Sequence, residues 1–206
     1  MSEPVQILPL AIAMVMGPQI MTSVFLVTSR DPVRNSLAYV ATAAIALAAG
    51  TLLAFGIANL LGVGDQDDGS GKGALTYVVA GLLALLIIYT YLRRHEMEPP
   101  SWMGELQEAD TRLATKLGLL LILLMPSDLV IMLGVGDYLV ANGLDWFSAL
   151  PFLGLTVLLV ALPFLAYLLL GEAAVRRMPR IRDWMSTYSW LISIVVYAFF
   201  IYLLLA

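Results

Sequence analysis

In "LLMPSDLVIMLG", Leu123 to Gly134, a carboxylate stands two residues after a proline inside an otherwise apolar stretch. A second proline, Pro18 in "MGPQIMTSVF", is followed in the same way by Gln19, Thr22 and Ser23. A proline inside a helix removes one hydrogen bond and crowds the preceding turn, so carbonyls four residues back lose their partners. In lipid those groups must be met by neighbouring helices, polar side chains or water. What these residue types can do is bind: a carboxylate takes up H+ or Na+, and amides and hydroxyls coordinate it or the polar part of a cargo. An ionised Asp at mid-helix depth costs roughly 2.5–3.5 kcal/mol on insertion scales, so such residues usually face protein or water and mark a pathway. The competing use is structural, with Asp128 hydrogen-bonded to Gln19 or Thr22 and pinning the broken helix. No Lys or Arg lies inside the apolar spans, which disfavours a buried salt bridge. The candidate substrate and ion pathway is therefore Pro18, Gln19, Thr22, Ser23, Pro126, Ser127 and Asp128, around a central polar cavity.

The elements that hold these residues are membrane helices. Of 206 residues 61% are hydrophobic and 13% charged, and the mean hydropathy is +0.90, far from the roughly 45–50% apolar and 25% charged of a soluble domain. Six apolar stretches stand out: Val5 to Thr28, Leu37 to Val63, Ala74 to Leu92, Leu117 to Leu139, Phe147 to Leu170 and Tyr188 to Ala206. Each approaches the roughly 20 residues that a helix needs to span the hydrocarbon. The first lacks a basic region before it and a small-residue cleavage site after it, so it reads as a mature helix. Ten of the eleven Lys and Arg fall on odd-numbered connections: Arg30 and Arg34, then Arg93, Arg94, Arg112 and Lys116, then Arg176, Arg177, Arg180 and Arg182. The remaining one, Lys72, lies in the Gly- and Asp-rich "GVGDQDDGSGKG". The positive-inside rule then puts both termini outside, in a multi-pass protein of a bacterial or archaeal cell membrane.

The two proline segments also begin similar stretches. "MGPQIMTSVFLVTSRDPVRN…IANLLG" starts at Met16 and "LMPSDLVIMLGVGDYLVANG…LAYLLLG" at Leu124. A half made of three helices re-enters the membrane from the opposite face, the inverted-repeat plan of many secondary transporters. Pro18 is about 13 residues from one boundary and Pro126 about 10 from the other, so at roughly 1.5 Å per residue both lie near the midplane. The expected fold is all-α: residues 1–92 form the first three-helix repeat, 93–116 a cytoplasmic linker, and 117–206 the second repeat. In the linker, Ser101 with Glu105 and Glu108 opens a short amphipathic helix carrying Trp102, Leu106 and Leu113 on one side.

The stretches "LPLAIAMVMGPQIMTSVFLVTSRDPVRNSLAYVATAA", "MPSDLVIMLGVG" and "LPFLAYLLLGEAAVRRMPRIRDWMSTYSWLISIVVYAFFIYLLL" resemble the GAP or Sap family, the glycopeptidolipid- and sulfolipid-addressing proteins of the LysE superfamily of exporters. The resemblance runs from Leu8 to Leu205. It implies six helices in two inverted repeats, an export role, and lipid or lipid-like cargo. Many relatives carry an Asn-Pro-Lys-like turn in the fourth helix, whereas Met125, Pro126 and Ser127 occupy it here with Asp128 next. That departure exchanges a buried cation for an anion, so a charge preference does not carry over.

Other features fill in the expectation. The basic residues Arg176, Arg177, Arg180 and Arg182 suit anionic-lipid contact. Small residues such as Gly50, Gly56, Gly81, Gly118, Gly134, Gly136 and Gly154 permit close helix packing. Trp102, Trp146, Trp184, Trp190 and Tyr138 fall at span ends, where rings anchor at the interface, and Asp137 is expected in the solvated headgroup zone. Tyr89, Tyr91, Tyr188, Tyr197 and Tyr202 are weaker pathway candidates. Zero cysteines exclude thiolate chemistry, a single His argues against an enzyme, and a hard metal would need several oxygen ligands together. No cofactor or metal is expected. The net charge of −4, with no basic stripe, argues against nucleic acid. The expected function is a secondary exporter or flippase of lipid-like or small amphiphilic cargo, coupled to H+ or Na+, with membrane lipids, the cargo and a second copy of the chain as partners. The alternatives are a lipid-modifying membrane enzyme and a non-transporting accessory subunit of envelope lipid assembly.

Overall fold

The computed structural model describes residues 4–16, 18–61, 74–93 and 109–205, without the side chains of residues 4, 74, 172, 174, 177–179, 181–186 and 189. After a 3-10 turn (Pro4–Ile7) come α1 (Leu8–Val15), α2 (Pro18–Leu26), α3 (Pro32–Leu60) and α4 (Ala74–Leu92). Then follow α5 (Thr111–Leu124), α6 (Pro126–Ala141), a second 3-10 turn (Trp146–Ala149), α7 (Leu150–Leu170) and α8 (Glu172–Leu205). No strand occurs among the described residues. The expected amphipathic helix at Ser101, Trp102, Leu106 and Trp184's surroundings lie outside the described residues or side chains.

Local chemistry sets the breaks. Proline disfavours helical geometry in the residue before it, and Met125 accordingly leaves the helix at φ −72°, ψ 123°. Pro126 then starts α6 at the position where its missing N–H costs least. Upstream, the Asp110 side chain accepts from the Leu113 amide at 2.8 Å, so α5 starts at Thr111, earlier than the expected Leu117. Gly171, at φ 53°, ends α7 and lets α8 follow after one residue.

Three stretches are long and apolar enough to cross a membrane: Pro32–Leu60, Leu75–Leu92 and Trp146–Leu170. The count rises to five if each proline-broken pair, α1–α2 and α5–α6, is one span. Both pairs bend by the same 62°. The last apolar stretch, Trp190–Leu205, is shorter. It belongs to a 34-residue helix that also carries the basic segment expected to be a connection. Leu53, Leu60, Leu85 and Leu169 are among many large apolar side chains left exposed on α3, α4 and α7, a surface suited to lipid.

Close approaches fix the directions of the helices. A Cβ on Gly118 would lie 2.6 Å from the Tyr39 carbonyl oxygen, and one on Gly136 2.6 Å from the Ala54 carbonyl carbon. Gly50 faces Met132 and Leu123. Residue numbers rise together in all three contacts, so α3 runs parallel to the α5–α6 pair. By contrast α4 and α8 are antiparallel: Tyr91 meets Trp190 edge to face at 6.5 Å, while Val79 and Phe200 both close on Gly134. Gly56, Gly81 and Gly154 have open space around them, so only part of the expected small-residue packing is used. The packing is reciprocal. The pair α1–α2 lies on α7, α5–α6 lies on α3, and α4 lies on α8.

Candidate functional site

The two proline breaks meet in the core. Gln19, in the first turn of α2, donates its Nε2 hydrogen to Asp128 Oδ2 in the first turn of α6. Both side chains are 1% exposed. Helix N-termini hold unpaired N–H groups and the positive end of the peptide dipoles, which suits an acid in the first turn. Ser127 Oγ reaches Asp128 Oδ1 at 3.4 Å, a long contact. From α3 the Tyr39 hydroxyl donates to the Gln19 carbonyl oxygen at 2.8 Å, so three helices are tied through one residue. Tyr39 and Tyr197 both lie within electrostatic reach of the Asp128 carboxyl, and the Tyr197 hydroxyl is close to Ser193 one turn earlier on α8.

Thr22 and Ser23 are wholly buried beside this bridge, yet their hydroxyls find no hydrogen-bond partner among the described residues. A buried hydroxyl without a partner costs roughly 1–3 kcal/mol, and both of these follow Gln19 by about one helical turn. No group of three or more His, Cys, Asp or Glu that could hold a metal occurs among the described residues.

Two further polar layers lie on either side. In one, Asn35 at the start of α3 donates Nδ2 hydrogens to Ser29 Oγ at 3.0 Å and to the Ala109 carbonyl at 2.8 Å. Its Oδ1 accepts from Thr111 at 3.0 Å, which fastens the start of α5 to the turn between α2 and α3. In the other, the Tyr138 hydroxyl donates to Gln6 Oε1 at 2.6 Å and Thr76 Oγ1 donates to Asp137 Oδ1 at 3.1 Å. Between the bridge and the second layer, Met14, Leu47 and Ile131 are buried in the apolar core.

The predicted residues Gln19, Thr22, Ser23 and Asp128 thus lie buried around one bridge, with Pro18 and Ser127 half-buried beside it and Pro126 exposed. Arg176 and Arg180 are exposed on α8, and the side chains of Arg177 and Arg182 lie outside the description. Two expectations are corrected. Asp137 is not solvated but fully buried, because Gly136 draws α6 against the α3 backbone. Tyr138 is not an interface anchor: it is 4% exposed, packed on Phe200 and bonded to Gln6. Sequence reasoning missed Tyr39, which shares the buried face of α3 with Asn35, Ser36 and Thr51.

A family model described as Sap, sulfolipid-1-addressing protein, matches residues 7–206. No curated protein and no solved structure matches.

Proposed function

The chain belongs to the Sap, sulfolipid-1-addressing protein, family, and from that premise we propose that it is a secondary exporter or flippase for lipid-like or small amphiphilic cargo. The observation that carries this reading is the bridge between Gln19 and Asp128, which joins two helices broken at proline and bent alike. Transporters use such broken helices near the midplane, because the freed backbone and nearby side chains form a site that can change partners. The reciprocal packing of α1–α2 on α7 and α5–α6 on α3 supports two inverted repeats, 1–92 and 117–206, in a LysE-like plan. The antiparallel course of α8 along α4 supports a sixth span with the helices alternating in direction, and the placing of both termini outside a cell membrane rests on ten of the eleven Lys and Arg falling on odd-numbered connections.

In this reading the bridge is the closed state. Binding of H+ or Na+ at Asp128, or of a cargo headgroup at Thr22 and Ser23, weakens the bond between Asp128 and Gln19 and lets the two broken helices separate. The Asn35 layer then closes the cytoplasmic side and the Gln6–Tyr138 layer the outer side, so that one opens while the other stays shut. Exposed Arg176 and Arg180, with Arg177 and Arg182, hold anionic headgroups at the inner leaflet. The chemistry is non-covalent, which fits an assignment as a transporter and not an enzyme.

The test is leaflet exchange in reconstituted vesicles. With a fluorescent acyl-labelled anionic lipid in one leaflet, vesicles holding the protein should expose the label to a membrane-impermeant quencher faster than protein-free vesicles. Equal rates, in protein that remains folded, would leave an accessory role in lipid assembly as the better reading.

A further inference from the structure

Helix α6 carries a second acid that the proposed pathway does not use. Asp137 lies nine positions after Asp128, about 13.5 Å along the axis and half a turn round it, at roughly 1.5 Å and 100° per residue. The two carboxyls therefore face different neighbours. Asp128 faces α2, whereas Asp137 faces the first turn of α4, where Thr76, 2% exposed, donates to Oδ1 at 3.1 Å. Oδ2 is buried and has no hydrogen-bond partner among the described residues. The carboxyl is held in this position from both sides, since Gly136 abuts the α3 backbone and Tyr138 is fastened to Gln6 and Phe200.

A buried carboxylate with one neutral donor is an uncompensated charge, a situation that costs several kcal/mol unless a counter-charge or proton relieves it. The surroundings supply no counter-charge among the described residues. From α4 come Thr76 and Tyr77, the latter 58% exposed; from α3, Ala54 and Phe55; from α8, Phe200 and Tyr197, the second of which faces Asp128. The amino-terminal turn brings Gln6, and the turn after α6 brings Asp145, exposed and occupied in capping Ser148. A metal ion would need more oxygens than one carboxyl and one hydroxyl provide. We propose that Asp137 and Thr76 form a second proton-exchange site between α4 and α6, distinct from Asp128 and on the outer side of it. One proton adds to Oδ2, while Oδ1 keeps the Thr76 hydrogen bond; release regenerates the carboxylate. Two such sites on opposite faces of one helix let a proton be exchanged near the outer surface while the central bridge stays closed. Its placing on the outer side rests on the proposed topology, whereas its proton exchange does not depend on whether Asp128 couples transport.

Infrared difference spectra of the reconstituted full-length protein, recorded across a pH titration, test it in the stretch of the protonated carboxyl group. Asp137→Asn should remove one component of that band and Asp128→Asn a different one, with melting curves confirming that each variant is folded. Thr76→Val removes the donor but keeps the acid, so the Asp137 component should persist at a shifted frequency; this variant carries the test if Asp137→Asn does not fold. A band unchanged in Asp137→Asn, or an unshifted one in Thr76→Val, overturns the proposal. Loss of gradient response in Asp128→Asn is a separate result and leaves it untouched.

Discussion

Removing Gln19 and Asp128 singly and together measures how strongly the two broken helices are joined. Gln19→Ala strips Asp128 Oδ2 of its closest donor, and Asp128→Ala leaves the Gln19 amide without its acceptor, in surroundings where both side chains are 1% exposed. Leaving a buried partner unmet costs about 1–3 kcal/mol, and a hydrogen bond to a charged group contributes about 1.5–3 kcal/mol net. Ser127 cannot take over, because its 3.4 Å contact is long and goes to the other oxygen. At a pH where Asp128 is ionised, a double-mutant cycle should therefore give a coupling of about 1.5–3 kcal/mol. Asp128→Asn keeps an acceptor for Gln19, so its coupling should fall to the roughly 0.5–1.5 kcal/mol of a neutral bond with the fold retained. Reversible unfolding in mixed detergent micelles reads these values. A coupling under about 0.5 kcal/mol for the Ala cycle, below the ordinary range for an intact bond, would refute the bridge as the joint between the halves.

The packing glycines should divide by surroundings: Gly118→Ala and Gly136→Ala put a Cβ 2.6 Å from α3 backbone atoms and should lower stability by about 1–3 kcal/mol. Gly56→Ala, which meets nothing within 4 Å, should raise it by about 0.5–1 kcal/mol through reduced chain entropy; thermal melts compare the three. Because the chain has no cysteine, cysteines placed at Ser2 and Ser70 report topology cleanly. Both should react with an impermeant thiol reagent on intact cells, while one at Ser101 should react only after permeabilisation.

The helices were legible because their signal is one-dimensional. Long apolar runs, Pro126 after an extended Met125, and Gly171 before α8 each act through the local backbone, and the breaks fall where the prolines stand. The meeting of Gln19 with Asp128 could also be expected, since both follow prolines at similar depth and each needs a polar partner. Rotational position around a helix was harder to read. Asp137 and Tyr138 stand near the end of an apolar stretch, where exposure is the ordinary outcome, and contacts made across the fold, Gly136 with Ala54, Thr76 with Asp137 and Gln6 with Tyr138, turn that end of α6 inward. Tyr39 escaped notice for a related reason: its hydroxyl bonds to a backbone carbonyl of another helix, a partner that leaves no mark in sequence spacing. The basic segment before the last apolar stretch read as a connection, since charge disfavours a span; nothing in charge prevents a helix from continuing from a basic into an apolar segment, as α8 does.

If transport is coupled at Asp128, as proposed, gradient-driven flux through Asp128→Asn will report it. Wild-type protein reconstituted in vesicles should move labelled lipid at a rate that follows an imposed pH or Na+ gradient. Asp128→Asn, nearly the same size and still able to accept from Gln19, should keep its melting behaviour and its basal exchange but lose the response to the gradient. An unchanged gradient response in Asp128→Asn would contradict the claim and reduce the carboxyl to a pin between two broken helices.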